Sequence, residues 1–332
     1  MKLRYVKLKQ SDEYSVAVRQ SGRWVPLKSA FSDSNDKMDP AVYAAADDMI
    51  SFLQGGRTLQ DKIRHNIEQA GNTDFTDTFD PAPLLPFRPL SFRDFMLYEK
   101  HVIDAGKGFV RRFMPKLAPI ISVYESITGK PYPKLRPKRI WYEKPIYYMG
   151  SHINFYTEGQ TIPWPKYTKV LDYELEIGLV IVKPLYNATA QEALQAIGGL
   201  TIVNDFSARD IQLPEMMSGF GPVKSKNFAN AMGQVIVTAD EILSHLDDLS
   251  VRVIVNGEKW GEGSTAGPYH RIEEAVAYAS AAERILPGEL MATGTIPGCS
   301  GVEAGRWLSP GDRIVLEVDG LGSLENTIAA GP

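Results

Sequence analysis

With 332 residues, 44% hydrophobic and 23% charged, and a net charge of −4, the chain has the composition of an ordinary globular protein, long enough for one large domain plus a smaller one. Its one cysteine, Cys299, excludes an intrachain disulfide and a cysteine-rich zinc site, and the lack of a global basic excess argues against nucleic acid as a partner. The N-terminus, MKLRYVKLKQ, has no apolar secretion-signal core, and no run of about 18 apolar residues follows, so a cytoplasmic protein with no membrane partner is expected.

Leu3, Tyr5, Val6 and then Tyr14, Val16, Val18 alternate as strands do, and residues 41–72 read as helical. Residues 1–85 are therefore expected to form a small N-terminal domain without visible chemistry. Pro81, Pro83, Pro86 and Pro89 block regular structure and mark a connector, after which residues 86–332 form the second domain. Ser91 and Asp94 stand at capping-box spacing, which predicts a helix running from there toward Phe113. Between Lys130 and Lys144, six basic residues face only Glu143, interleaved with Tyr132, Trp141 and Tyr142. Pro131, Pro133, Pro137 and Pro145 make this an extended, solvated connector rather than a nucleic-acid patch. Residues 189–197 and 271–282 are the helical stretches of the second half. There, Asn256-Gly257 and Asp319-Gly320 follow alternating runs at 251–255 and 313–318 and predict tight primed hairpin turns. The fold class is α+β and β-rich, with a mostly antiparallel or mixed sheet.

Chemistry enters at residues 171–182, which end in an apolar run yet open with Asp172, Glu174 and Glu176. Residues i and i+2 of a strand point the same way, so Glu174 and Glu176 share a face, and like charges side by side require a cation. Oxygen donors without cysteine or clustered histidine suit Mg²⁺, Mn²⁺ or Ca²⁺ better than zinc. The alternative is a half-exposed strand with a solvated acidic face. A second apolar run, 196–203, leads into Asn204-Asp205-Phe206-Ser207-Ala208-Arg209-Asp210-Ile211-Gln212. Ser207 and Asp210 have capping-box spacing, so a helix is expected with Arg209 and Gln212 on its first turn. Otherwise Asp205 simply ends a strand and Arg209 pairs with Asp210.

Asp-Tyr-Glu-Leu-Glu (172–176), the nine residues 204–212, Lys-Ser-Lys-Asn-Phe (224–228) and Ala-Thr-Gly-Thr (292–295), in this order, resemble the fumarylacetoacetate hydrolase family. The resemblance covers roughly residues 90–328 and points to the longer-chain branch with an N-terminal domain. It implies a mixed β-sheet roll as catalytic domain and a divalent cation, Mg²⁺ with Mn²⁺ or Ca²⁺ as alternatives. Asp94, Glu174, Glu176 and Asp205 would hold that cation. Arg209, Gln212, Tyr148 and Thr295 would bind substrate, Lys226 would stabilise charge, and His101 would be the base. His101 lies seven residues after Asp94, a spacing that keeps both groups on one face of a helix. Asp104, three residues on, and Glu303 are competing partners for its imidazole. Met96 stands where fumarylacetoacetate hydrolases proper have a tyrosine, which points away from fumarylacetoacetate itself as substrate.

The activity implied is cleavage of a carbon–carbon bond in a β-diketone or acylpyruvate-type oxo-acid, with water activated by His101 and an enolate held on the metal as leaving group. Decarboxylation or keto–enol isomerisation of a 2-oxo-dioate, as in aromatic catabolism, shares that enolate. A non-catalytic binding protein that has kept the fold is the remaining reading. The resemblance also implies a homodimer. His65, His152, His245, His270 and Cys299 are assigned no catalytic part.

Overall fold

The structure is a computed structural model that describes residues 1–30, 40–69 and 75–331. The chain opens with β1 (Lys2–Lys7), β2 (Tyr14–Gln20) and β3 (Arg23–Pro26), as the alternation predicts. The short helix Leu27–Ala30 follows, and among the described residues Pro40–Asp47, Met49–Gln54 and Gly56–Gln69 are separate helices where the periodicity indicated one stretch. Asp48 causes the first break: its carboxylate accepts from the Ser51 amide at 2.7 Å, capping a new helix. Residues 70–72 of the expected helix lie outside the described residues.

β4 (Phe92–Phe95) and β5 (Tyr147–Gly150) bracket the long helices Glu99–Phe113 and Ala118–Thr128. The short strands β6 (Phe155–Tyr156), β7 (Thr161–Ile162) and β8 (Leu171–Asp172) lead to β9 (Leu175–Ile181) and β10 (Ile197–Asp205). Next come β11 (Ser207–Ala208), β12 (Asn230–Met232), β13 (Val235–Thr238), β14 (Ser250–Val255) and β15 (Glu258–Ser264). β16 (Leu290–Ala292), β17 (Arg313–Val318) and β18 (Gly322–Ile328) complete the order.

An 11-stranded sheet runs β3-β2-β1-β13-β10-β9-β16-β4-β5, with β12 paired to β10 and β6, and a five-stranded sheet runs β15-β14-β17-β18-β7. Both kinds of pairing occur: β16 and β4 are parallel, β10 and β9 antiparallel. Leu175, Ile177 and Leu179 of β9 share one core with Val251, Val253 and Leu316 of the smaller sheet. On the other face, Val180 packs with Leu3, Phe52 and Ile63 of the N-terminal elements. Burial on both faces explains why this strand is apolar without alternation.

The N-terminal strands extend the large sheet itself, because β1 pairs antiparallel with β13. The proline-rich stretch 79–89 lies irregularly alongside. Phe79 bridges Leu8, and the Arg4 guanidinium donates to the carbonyls of Pro81 and Ala82.

Four local expectations are corrected. No helix starts at Ser91: residues 92–95 are a fully buried strand between parallel β16 and antiparallel β5, and the helix begins at Glu99. The Ser91 hydroxyl donates to Glu289 at 2.6 Å instead of capping anything. Asn256 and Gly257 form the primed turn, with φ of 51° and 82°. Asp319-Gly320 does not, since Val318 pairs with Gly322 and leaves a three-residue loop whose extra residue, Leu321, turns into the core. The basic stretch 130–144 is pinned rather than merely solvated: it contains the helix Arg139–Glu143, and the buried Trp141 indole donates to the Met96 carbonyl at 2.7 Å. At the Ser207 and Asp210 positions no capping box forms; Ser207 donates to the Asp205 carbonyl, and Asp210 accepts from the Lys169 amide. The helix Arg209–Met217 still places Arg209 and Gln212 on its first turn.

Candidate active site

The site is assembled on strands β10, β9, β4 and β5 of the large sheet, with β16 lying between β9 and β4. Asp94 lies on β4 with Tyr148 of β5 directly opposite, Glu176 lies on β9, and Asp205 ends β10. All three carboxylates are buried, and each offers an oxygen within 4.8 Å of the others. Asp94 Oδ1 and Glu176 Oε2 have no hydrogen-bond partner. Burial, then the charge of Asp205, pushes the Asp94 carboxyl well above its usual range; burial, then Asp94 and Asp205, does the same to Glu176. Burial also raises Asp205, against the pull of Lys226. Crowded, orphaned carboxylate oxygens are what a hard divalent cation neutralises, so these residues fit one. Tyr148 Oη donates to Asp205 Oδ2 at 2.8 Å, and the Asn230 amide, with its nitrogen toward the acid, donates to Asp205 Oδ1 at 2.8 Å. Thr295 Oγ1 lies 3.4 Å from Glu176 Oε1.

Glu174 stands apart from that triad. It precedes β9, bridging to Ser300, and its carboxylate takes Arg209 Nη2 at 2.6 Å and the Lys226 ammonium. Burial opposes its ionisation, but Arg209, Lys226 and His101 together hold it well below the usual carboxylate range. The Lys226 ammonium is shared between Glu174 and Asp205. Burial would discharge it; those two acids keep it charged. The four expected ligands thus divide into a triad and a fourth acid joined to it through Lys226.

His101, on the first turn of Glu99–Phe113, has Nδ1 3.2 Å from Glu303 Oε2 and Nε2 3.7 Å from Glu174 Oε1. Asp104 is not its partner. Asp104 accepts from Lys100 at 2.6 Å and lies 3.6 Å from Lys107, so lysines of its own helix claim it. Nor do Asp94 and His101 share a helix: strand and helix are separate, and the turn between them is tied by Leu97 N to the Thr293 carbonyl at 3.1 Å. Glu303 is itself fixed by the Ser300 hydroxyl at 2.7 Å and the Gly298 amide at 3.2 Å.

One residue assigned no role from sequence organises both halves. Asp172, fully buried, accepts from the amides of Tyr173 (2.8 Å), Gly301 (2.8 Å) and Val302 (3.0 Å) and from Arg209 Nε (2.7 Å). It therefore fixes Arg209, whose Nη1 reaches Gln212 at 2.8 Å, and the turn that carries Glu303. Its signal in the sequence was its place as first of three alternating acids.

Residues 130–329 match the sequence profile of the fumarylacetoacetate (FAA) hydrolase C-terminal domain, and the chain belongs to that family. It is 34% identical to an uncharacterized protein of Staphylococcus epidermidis, over 98% of this chain and 99% of that one. It is 32% identical to the 4-hydroxyphenylacetate degradation bifunctional isomerase/decarboxylase of Salmonella dublin, over 56% of this chain and 42% of the relative, less than half of that protein's length. Fumarylacetoacetate hydrolase from psychrophilic Exiguobacterium antarcticum shares the fold, with a TM-score of 0.66 and 20% identity over 99% of each chain. Among the described residues, no helix is long and apolar enough to cross a membrane.

Proposed function

We propose that the chain is a divalent-cation-dependent enzyme that activates water to break a carbon–carbon bond beside a carbonyl in a small acylpyruvate-type oxo-acid. The observation that carries this reading is the link between the acid triad and the proton-transfer pair: Glu174 lies 3.7 Å from His101 Nε2 and shares the Lys226 ammonium with Asp205. A divalent cation held by Asp94, Glu176 and Asp205, with Glu174 available as a fourth ligand, would act as a Lewis acid on a chelated 2-oxo-acid. Mg²⁺ suits the all-oxygen donor set, with Mn²⁺ or Ca²⁺ as alternatives.

Arg209, clamped by Asp172 and Glu174, binds the substrate carboxylate together with Gln212. The hydroxyls of Tyr148 and Thr295 bind substrate oxygen. Lys226 stabilises the negative charge that develops as the bond breaks. His101 takes a proton from water at Nε2, and the Glu303 carboxylate, 3.2 Å from Nδ1, supports the positive charge that the ring gains. The protein would act as a cytoplasmic homodimer; sedimentation giving a concentration-independent mass of 36.8 kDa would contradict the dimer.

A second reading, decarboxylation or keto–enol isomerisation of a 2-oxo-dioate, is favoured by the name of the Salmonella dublin relative. The test is to incubate the protein with acylpyruvates, fumarylpyruvate-like dioates and oxaloacetate under Mg²⁺ and Mn²⁺ and to identify products by NMR. Two carboxylate-bearing fragments are expected. CO₂ as the only fragment lost, or a shifted double bond without cleavage, would transfer the reading to decarboxylase or isomerase. Mn²⁺ binding without turnover of any of these would favour a binding protein.

A further inference from the structure

The helix Arg209–Met217 that presents Arg209 and Gln212 carries a third functional group one turn later. Glu215 lies three residues after Gln212 on the same face. Its carboxylate receives four hydrogen bonds: Oε2 from the amides of Val223 (2.7 Å) and Ser225 (3.2 Å) and the Ser225 hydroxyl (2.6 Å), and Oε1 from the amide of Lys224 (2.8 Å). These donors belong to the three residues immediately before Lys226. Partial burial works against ionisation, yet the Ser225 hydroxyl and the three amides hold the Glu215 carboxyl below its usual range.

The loop between helix and clasp is open to solvent. Met217, the last residue of the helix, is 80% exposed, Phe220 in the loop is 91% exposed, and Gly219 and Gly221 both take left-handed backbone conformations. The Ala208 amide, donating to the Ser225 carbonyl (2.9 Å), and the Tyr167 hydroxyl, donating to the Lys224 carbonyl (2.8 Å), also hold this segment. Glu215 adds the tie that gathers the amides of residues 223–225 and keeps motion of the loop from passing into Lys226. With the tie, residue 224 is exposed while Ser225 and Lys226 are buried, and the Lys226 ammonium is delivered to Glu174 and Asp205.

We propose that Glu215 is a positioning residue that clasps residues 223–225 and so sets the Lys226 ammonium against the carboxylate cluster, from the same helix that supplies Arg209 and Gln212. This rests on the reading of Lys226 as charge stabiliser, but the placement itself is measured without substrate or metal. The full-length wild type and Glu215→Gln are treated with an acetylating reagent, and Lys224 and Lys226 are followed by peptide mass spectrometry, with melting temperatures recorded alongside. Lys224 reacts quickly in both. Lys226 is protected in the wild type and reacts about 10- to 100-fold faster in Glu215→Gln, the change in local opening that follows from losing hydrogen bonds to a charged group. Unchanged protection of Lys226 in the folded variant overturns the proposal. Should Glu215→Gln fail to fold, Ser225→Ala, which removes one bond of the four, decides by the same readout with a smaller increase.

A kinetic arm uses an acylpyruvate with Mn²⁺. Glu215→Gln lowers kcat, by up to about 10²-fold as expected for a misplaced catalytic group, with KM little changed. In a Lys226→Met background it causes no further loss. Independent, additive losses overturn the proposal. If no acylpyruvate is turned over, the functional reading falls while the labelling result still decides the role of Glu215.

Discussion

Gly108, in the helix that carries His101, packs so tightly on the backbone of Val302 that a Cβ would fall 1.9 Å from the Val302 carbonyl oxygen. Val302 precedes Glu303, so this contact sets how near the imidazole comes to its carboxylate. In an unobstructed helix, Gly→Ala stabilises by about 0.5–1 kcal/mol. Here the obstacle is backbone and has no rotamer to give way. Gly108→Ala is expected to destabilise by about 1–3 kcal/mol and to lower kcat with little change in KM. Urea unfolding and steady-state kinetics check both; stability at or above the wild type would count against the contact.

Removing one carboxylate of the triad should abolish cation binding. Glu176→Ala, and likewise Glu174→Ala if the fourth acid closes around the ion, is expected to eliminate activity and the Mn²⁺-dependent rise in stability. In the wild type that rise is about 2.7 kcal/mol when free Mn²⁺ is 100 times its Kd. Calorimetric titration distinguishes the two acids: near wild-type affinity in Glu176→Ala would refute the triad, and in Glu174→Ala would confine the ion to three acids.

The raised carboxyls predict a pH dependence of definite sign. A carboxyl whose native pKa exceeds its unfolded value keeps a proton that the unfolded chain has released, so native stability falls as pH climbs from the ordinary carboxylate range, near ~4, to the raised native value. Asp94 and Glu176, raised by burial and by their neighbours, are such groups. Glu174 acts oppositely, because Arg209 and Lys226 outweigh its burial; its contribution is lost only as pH falls below about 4. The metal-free melting temperature should therefore decline as pH rises above about 5, less steeply in Asp94→Asn. Mn²⁺ must displace those protons, so binding tightens with pH. Calorimetry in buffers of different ionisation heat reads the protons released; none released at any pH above the ordinary carboxylate range, near ~4, would contradict the raised carboxyls.

His101→Ala separates hydrolysis from the alternative reactions. Water attack needs a base within hydrogen-bond reach, and losing general-base catalysis costs roughly 10²–10⁴-fold in rate. Decarboxylation of a chelated 2-oxo-acid depends on the cation and an electron sink and should be far less sensitive. Hydrolytic cleavage that continues unchanged in the variant would remove His101 from its role.

Much of this site was legible because its signals are local. Glu176, Asp205, Arg209 and Gln212 sit on one strand, one strand end and one helical turn, and a period of two or a first-turn position can be read from neighbours alone. Asp94 was visible, but its setting was not. The spacing of Ser91 and Asp94 suits a helix cap, whereas the strand is decided by β16, nearly two hundred positions downstream. The choice between Asp104 and Glu303 was equally hidden, since it turns on backbone packing at Gly108 that no spacing encodes. Asp172 was seen as an acid but not as a clamp, because its donors come from residues 209, 301 and 302.

The pairing of β1 with β13 has a consequence for solubility. β13 reads Val-Ile-Val-Thr, short, uncharged and strongly strand-forming, and with β10 on one side and β1 on the other it offers no free row of amides and carbonyls. Stripped of the N-terminal strands, it would become a bare template on which a second chain could add a strand, the usual start of ordered aggregation. The intact chain moves the sheet's margin outward to β3, four residues that begin with Arg23 and end with Pro26, a charge and an imino acid that both discourage strand addition. The N-terminal strands thus serve as a terminator for the sheet that holds the buried acid triad.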